Sequence, residues 1–250
     1  MERAAVPGRL KWWTGTVVQT QRETPSASSL IIDVPDWLGH QAGQHVDVRL
    51  TAEDGYQAVR SYSIASAPEA TQLMITVERL DDGEVSPYLV DDVLPGDPLE
   101  FLGPIGGYFV WSAVMNAPLL LIAGGSGIVP LMAMARHRAL TGSKVPARLL
   151  YSSRTPETII YRAELDALAA NDEQFEPFYT LTRAHSPEWT GYSRRVDAAM
   201  LREVAWRPDA NPAIYLCGPT TFVEVASSLL LELGHDPTRI RIERFGPTGV

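Results

Sequence analysis

Cysteine is almost absent from this 250-residue sequence, and the single Cys217 excludes an intrachain disulfide and any cysteine-ligated cluster built by this chain alone. Long apolar runs are missing too. No stretch of eighteen or more apolar residues exists, and Met1-Glu2-Arg3-Ala4-Ala5-Val6-Pro7 lacks the apolar centre of a signal peptide. These absences set the expectation of a cytoplasmic protein without a transmembrane segment. Positive charge is scarce in one half only: residues 1–116 hold 7 Lys/Arg against 16 Asp/Glu, whereas residues 117–250 hold 14 of each, for a formal net charge of −9. An acidic balance argues against nucleic acid or an anionic membrane as partner. No internal repeat and no low-complexity tract interrupts the chain.

What is present is long enough for two domains of ordinary size. Short, partly alternating segments at 14–18, 29–34, 45–50, 60–65 and 73–78, separated by Gly, Pro and Asp, read as β-strands. Five or six strands at this spacing predict an antiparallel barrel over 10–112, behind a flexible 1–9. One helix interrupts it at 86–93, where Ser86 suits an N-cap, Pro87 the first helical position, and Pro95-Gly96 ends the segment. The pattern then changes. Strand candidates at 119–123, 147–152, 175–181, 213–217 and 239–242 alternate with helical periodicity at 129–140, 161–170, 197–204 and 221–233. This alternation predicts a Rossmann-like parallel sheet with helices on both faces, occupying 116–250.

Two segments carry the chemistry. Arg60-Ser61-Tyr62-Ser63 supplies a guanidinium, a phenol and two hydroxyls, which suits a phosphate-bearing aromatic ligand. In a strand Arg60 and Tyr62 share one face, and Ser61 and Ser63 the other. The apolar run ending at Gly124-Gly125-Ser126-Gly127 reads as a buried strand, a turn that glycine permits, and a helix start with Pro130 in its first turn. Such a helix start binds phosphate through free N–H groups and its dipole. Ile128 stands where a G-x-S-x-G nucleophile elbow needs glycine, and His137, His185 and His235 sit in polar or helix-terminal contexts that read as solvated surface. Hydrolysis is thereby disfavoured. Gly83-Glu84-Val85-Ser86 leads into the barrel's helix, where backbone N–H groups of Gly83, Val85 and Ser86 would meet a second phosphate; a hairpin exit with an N-cap explains the same residues.

Together with Tyr215-Leu216-Cys217-Gly218-Pro219 and Glu243-Arg244-Phe245, these stations appear in an order that resembles the ferredoxin–NADP(+) reductase superfamily, most closely its bacterial oxygenase-reductase branch. The resemblance implies a flavin-binding barrel and a pyridine-nucleotide-binding domain, with Arg60 on the flavin phosphate, Tyr62 stacked on the isoalloxazine and Ser63 beside the flavin N5. It implies that Gly124, Gly125, Ser126 and Gly127 form the pyridine-nucleotide loop. Cys217, followed by Gly218 and Pro219, would pack beside the nicotinamide. Phe245 would cover the flavin, with Glu243 near the nicotinamide or on a proton path; an ordinary last strand is the plain alternative, because Gly246-Pro247-Thr248-Gly249-Val250 continue past the aromatic residue where many relatives end.

Two phosphate-binding elements favour FAD over FMN. Coenzyme choice rests on Tyr151-Ser152-Ser153-Arg154-Thr155: an acidic residue there would accept from the ribose hydroxyls of NADH, whereas Ser153 and Arg154 suit the added phosphate of NADPH. A surface pair of Arg154 with Glu157 is the alternative, and NADH stays open. The expectation is therefore an NADPH-dependent, FAD-containing oxidoreductase, monomeric and without a metal site. It would pass electrons to a separate acceptor such as a ferredoxin or an oxygenase component, docked through Arg9, Lys11 and Arg244. Its rivals are an NADH-dependent reductase of a small acceptor, and a flavin electron-transfer subunit with a vestigial nucleotide site.

Overall fold

Along the first strand, Trp13, Gly15 and Val17 are buried while their neighbours face outward, the period-two pattern of a sheet with one face against a core. The computed structural model describes residues 10–183 and 187–246, so the expected flexibility of 1–9, Arg9, His185 and the last four residues lie outside the described residues. Six strands, β1 (Lys11–Thr24), β2 (Ala27–Asp33), β3 (His45–Thr51), β4 (Gln57–Ser63), β5 (Leu73–Glu78) and β6 (Pro98–Ile105), form one antiparallel sheet in the order β4-β3-β6-β1-β2-β5. An Ile64–Ile75 bridge joins its two edges, so the sheet closes on itself. Val46, Val48, Leu30, Ile32, Ile75 and Phe101 fill the interior with no exposure.

The sixth strand lies where the sequence singled out none, and one expectation for this half needs correction. β6 is central, paired with both β1 and β3, yet Pro98 at its start and Pro104 near its end disguise it as loop. The helix is a single short turn that passes into the wide π-helical segment Tyr88–Asp92, and Ser86 does not cap it. The Ser86 hydroxyl instead accepts from the Leu80 backbone N–H at 3.0 Å. Leu89 and Val90 are the residues this turn buries.

The second sheet is parallel, in the order β11-β10-β7-β8-β9, with β7 (Leu119–Gly124), β8 (Ala147–Ser153), β9 (Phe175–Leu181), β10 (Ala213–Pro219) and β11 (Ile240–Phe245). Helices α1 (Ile128–Leu140), α2 (Arg162–Asn171), α3 (Ala198–Val204) and α4 (Thr220–Glu232) connect them. Chain order runs outward from β7 in both directions, so the topological switch point lies between β7 and β10, where open α/β sheets bind ligands at the strands' C-terminal ends. Asp197 caps α3 by accepting from the Met200 N–H at 2.8 Å. The all-apolar β7 is buried throughout, as a central parallel strand requires.

The two sheets meet through polar contacts as well as apolar ones. The Tyr215 hydroxyl of β10 donates to the Val110 carbonyl at 2.7 Å, and Arg136 of α1 donates to the Ala65 carbonyl at 2.7 Å. His137 is not the solvated surface group expected: its side chain is 12% exposed, Nδ1 lies 2.7 Å from Glu69 and Nε2 accepts from the Ala113 N–H. His235 is likewise buried. Among the described residues no helix is long and apolar enough to cross a membrane.

Candidate active site

A cleft of about 270 Å³ opens where the barrel meets the switch point of the parallel sheet. His45, Ser61 and Ser63 form its barrel wall; Ser126, Cys217, Glu243, Arg244 and Phe245 form the wall facing it. A larger cavity, about 370 Å³, lies at the opposite strand ends beside Met115, Ala213 and Arg239, away from these groups. Strand register explains the convergence. His45 stands opposite Ser63 on β3 and β4, and Cys217 opposite Glu243 on β10 and β11.

The sheet wall is built by close backbone approach. Gly125 adopts a φ of +55°, which permits the turn from β7 toward α1. Gly127 packs so tightly on β10 that a Cβ there would lie 2.2 Å from the Cys217 carbonyl oxygen. No side chain caps α1, but its first amide is already used: the Ile128 N–H donates to the Gly125 carbonyl of the turn before it, and Pro130 has no N–H to offer. A phosphate suits this turn through the positive dipole end of α1 and through glycines on either side of Ser126, which leave its approach open.

Burial sets the charge states. It pushes the Glu243 carboxyl up to about 7, and it pushes the Cys217 thiol well above its usual range, with Glu243 as a smaller contributor. Cys217 is therefore a protonated, apolar wall rather than a nucleophilic thiolate. Among the described residues no hydrogen bond joins Ser126 to His45, and the Ser–His geometry of a hydrolase is not formed.

The raised Glu243 pKa carries a stability consequence. The unfolded chain loses this proton near the ordinary value of 4.5 and the native state near 7, so native stability falls across that window and stays lowered above it. Glu243→Gln should remove the penalty. Thermal melts are expected to show little difference at pH 5 and a variant stabilised by up to about 3 kcal/mol at pH 8. A difference independent of pH would contradict the partly buried, proton-holding carboxyl.

On the barrel side, Arg60 Nη2 donates to Glu84 at 2.5 Å, which ties the Arg60 station to the 83–86 turn. Both side chains are about half exposed (52% and 50%), so the pair contributes at most about 1 kcal/mol and can yield to a phosphate. The turn itself offers less than its sequence promised. The Gly83 N–H already donates to Leu80, Val85 is fully buried in the barrel core, and Ser86 is buried too. Tyr62 packs half-buried against the barrel core, and burial pushes its phenol up to about 12.

At the end of β8, Ser153 is buried and its hydroxyl is taken up by Thr158, whereas Arg154 is exposed. Glu157 does not hold Arg154; its carboxyl is kept low by its own backbone N–H and the Thr155 hydroxyl. A residue absent from the sequence reading stands beside it: Arg183, whose backbone N–H donates to the Arg154 carbonyl at 3.0 Å, brings a second exposed arginine to this edge. His45 was missed as well. Ser61 shares the face of Ser63 by alternation, but only the pairing of β3 with β4 brings His45 there.

Comparison with known proteins agrees with this division. Residues 15–110 match the oxidoreductase FAD-binding domain and residues 121–228 the oxidoreductase NAD-binding domain. The chain is 34% identical over 211 residues to ferredoxin–NADP reductase B of Sorangium cellulosum, covering 82% of this chain and 85% of that protein. It is 34% identical over 219 residues to the glycine betaine monooxygenase reductase subunit of Pseudomonas aeruginosa, covering 86% of this chain but spanning only 59% of that subunit. The flavohaem-like FAD/NAD-binding domain of nitric oxide dioxygenase from Vibrio cholerae superposes with a TM-score of 0.84 at 27% identity, covering 94% and 99% of the two chains.

Proposed function

We propose a coenzyme, a direction of electron flow and an acceptor class for this chain, which belongs to the ferredoxin–NADP(+) reductase family of FAD- and NAD-binding oxidoreductases. It takes hydride from NADPH onto FAD and passes electrons to a separate acceptor, such as a ferredoxin or the oxygenase or haem component that a reductase subunit serves. The observation that carries this reading is the single cleft in which Ser63 of the barrel faces Cys217 and Glu243 of the switch point.

Bound FAD would supply two-electron acceptance with one-electron release, and the chain's residues do the rest. Arg60 offers a charge-assisted contact to a flavin phosphate, Tyr62 an aromatic face, and Ser63 a hydroxyl at the reacting edge. The Gly124–Gly127 turn at the dipole end of α1 holds the coenzyme pyrophosphate, with Gly218 and Pro219 closing the strand end above it. Cys217 shapes the nicotinamide pocket, Glu243 holds a proton near neutral pH, and Phe245, 37% exposed, shields the flavin face. Holding the reacting atoms in contact is where such a site reduces the barrier most. Within these residues the one cysteine builds no cluster, so the electrons leave this FAD- and NAD-binding unit for an acceptor outside it; for a protein acceptor, Lys11 and the cleft residue Arg244 are the candidate docking cations.

NADPH is preferred in this reading because Arg154 is exposed and has Arg183 beside it. Arg154→Ala should raise the Michaelis constant for NADPH by about ten-fold or more and leave that for NADH nearly unchanged, since only NADPH carries the phosphate. Stopped-flow flavin reduction with both coenzymes, then an acceptor screen, tests the whole reading. A wild type that prefers NADH, or equal effects on both coenzymes, would remove the role of Arg154. No flavin reduction by either would remove the reaction.

A further inference from the structure

The barrel and the parallel sheet are joined by a buried polar chain that no residue of the cleft belongs to. Tyr161, 3% exposed, sits at the start of α2 with a φ of +61°, unusual for a bulky residue. Its hydroxyl donates to Thr76 Oγ1 on β5; Thr76 and Ser29 hydroxyls lie 2.7 Å apart, and Ser29 donates to Glu23 at 2.6 Å. A carboxylate at the end accepts only, so every hydroxyl in the chain has one direction. Beside it, Arg136 binds Glu164 through Nε and Nη2 at 2.8 and 2.6 Å, spends Nη1 on the Ala65 carbonyl at 2.7 Å, and lies 4.8 Å above the Tyr161 ring.

These contacts grip the two cleft walls at their roots. Ala65 follows Ser63 by two residues. Arg136 is carried by α1 eight residues after its start at Ile128, roughly 12 Å along the axis, and Ser126 lies two residues before that start, in the short turn that leads into it. Ser63 and Ser126 are thus connected through one short strand exit, one hydrogen bond and one rigid helix. An apolar contact would permit sliding, because it has no direction; a buried polar chain penalises every arrangement but one, since a displaced group would be left unpaired.

We propose that Tyr161 and Arg136 are positioning residues that hold the coenzyme-binding wall at hydride-transfer distance from the flavin-binding wall, a role that rests on the reaction proposed above. Misplacement by about 1 Å costs on the order of 100-fold in rate, so loss of one hydroxyl from the chain should be visible in the chemical step.

The test uses FAD-loaded enzyme in single-turnover reduction at saturating coenzyme. Tyr161→Phe and Thr76→Val are each expected to lower the limiting rate about ten-fold, with FAD content and coenzyme dissociation constant within two-fold of wild type. Thr76→Ser, which keeps the hydroxyl, should retain the rate, and the Tyr161→Phe/Thr76→Val double variant should be no slower than either single one. Limiting rates unchanged while melting temperature falls would reduce the chain to a structural role and overturn the proposal, as would additive losses in the double variant. If wild type itself fails to reduce flavin, the proposed reaction falls; if it succeeds and the variants match it, only the positioning role falls.

Discussion

Gly127→Ala is expected to unfold the coenzyme wall of the cleft. The added methyl would meet the Cys217 carbonyl carbon and oxygen and the Gly218 nitrogen, all backbone atoms, so no side-chain rotation relieves the contact. Either α1 withdraws from β10 or the end of β10 shifts. Overpacking of this kind costs on the order of 3 kcal/mol, equivalent to roughly ten degrees in melting temperature for a chain of this size. Because Ser126 leads into α1 and Cys217 lies on β10, coenzyme-driven flavin reduction should fall below detection even where the protein stays folded. Gly107→Ala is the matched control, since a Cβ there meets nothing within 4 Å. Equal melting temperatures for the two variants would mean that α1 and β10 do not approach as described.

Arg60→Ala should release flavin. The guanidinium is the one exposed cation on β4, and its present partner Glu84 sits in the turn that follows β5. Loss of a charge-assisted phosphate contact corresponds to about 1.5–3 kcal/mol, or roughly ten- to a hundred-fold in affinity. Glu84→Gln makes the reading sharper. Because that carboxylate competes for the same guanidinium, removing its charge should leave FAD affinity equal or tighter. Fluorescence titration of FAD into apoprotein would measure both, and release of FMN alone on denaturation would contradict the FAD assignment. Affinity weakened by Glu84→Gln as much as by Arg60→Ala would show the ion pair to be a structural brace.

Much of the architecture was legible because it rests on local periodicity. The parallel strands around Leu119 and Ala213 read as buried from apolar runs, and the glycine turn after β7 announced both a strand end and a helix start. β6 was hidden because prolines at its margins imitate a loop, and only pairing with strands from elsewhere in the chain reveals it as central. Ser86 looked like a cap because its type and position suit one; the nearby Leu80 N–H captured its hydroxyl instead. Ser153 was read as facing a coenzyme, but the turn at Thr158 folds back on it.

The sequence by itself determined the two kinds of sheet, the order of the stations along the chain, and the presence of glycine where α1 and β10 touch. Those properties follow from covalent geometry: side chains alternate along a strand, repeat every 3.6 residues on a helix, and vanish at glycine. Only the tertiary structure decided that His45 stands across from Ser63, that Glu84 occupies Arg60, that Glu243 holds its proton to about 7, and that Arg136 reaches the Ala65 carbonyl. Each depends on segments far apart in sequence being brought to one place and dried together. Neither strand register nor desolvation is a property of any local stretch of residues.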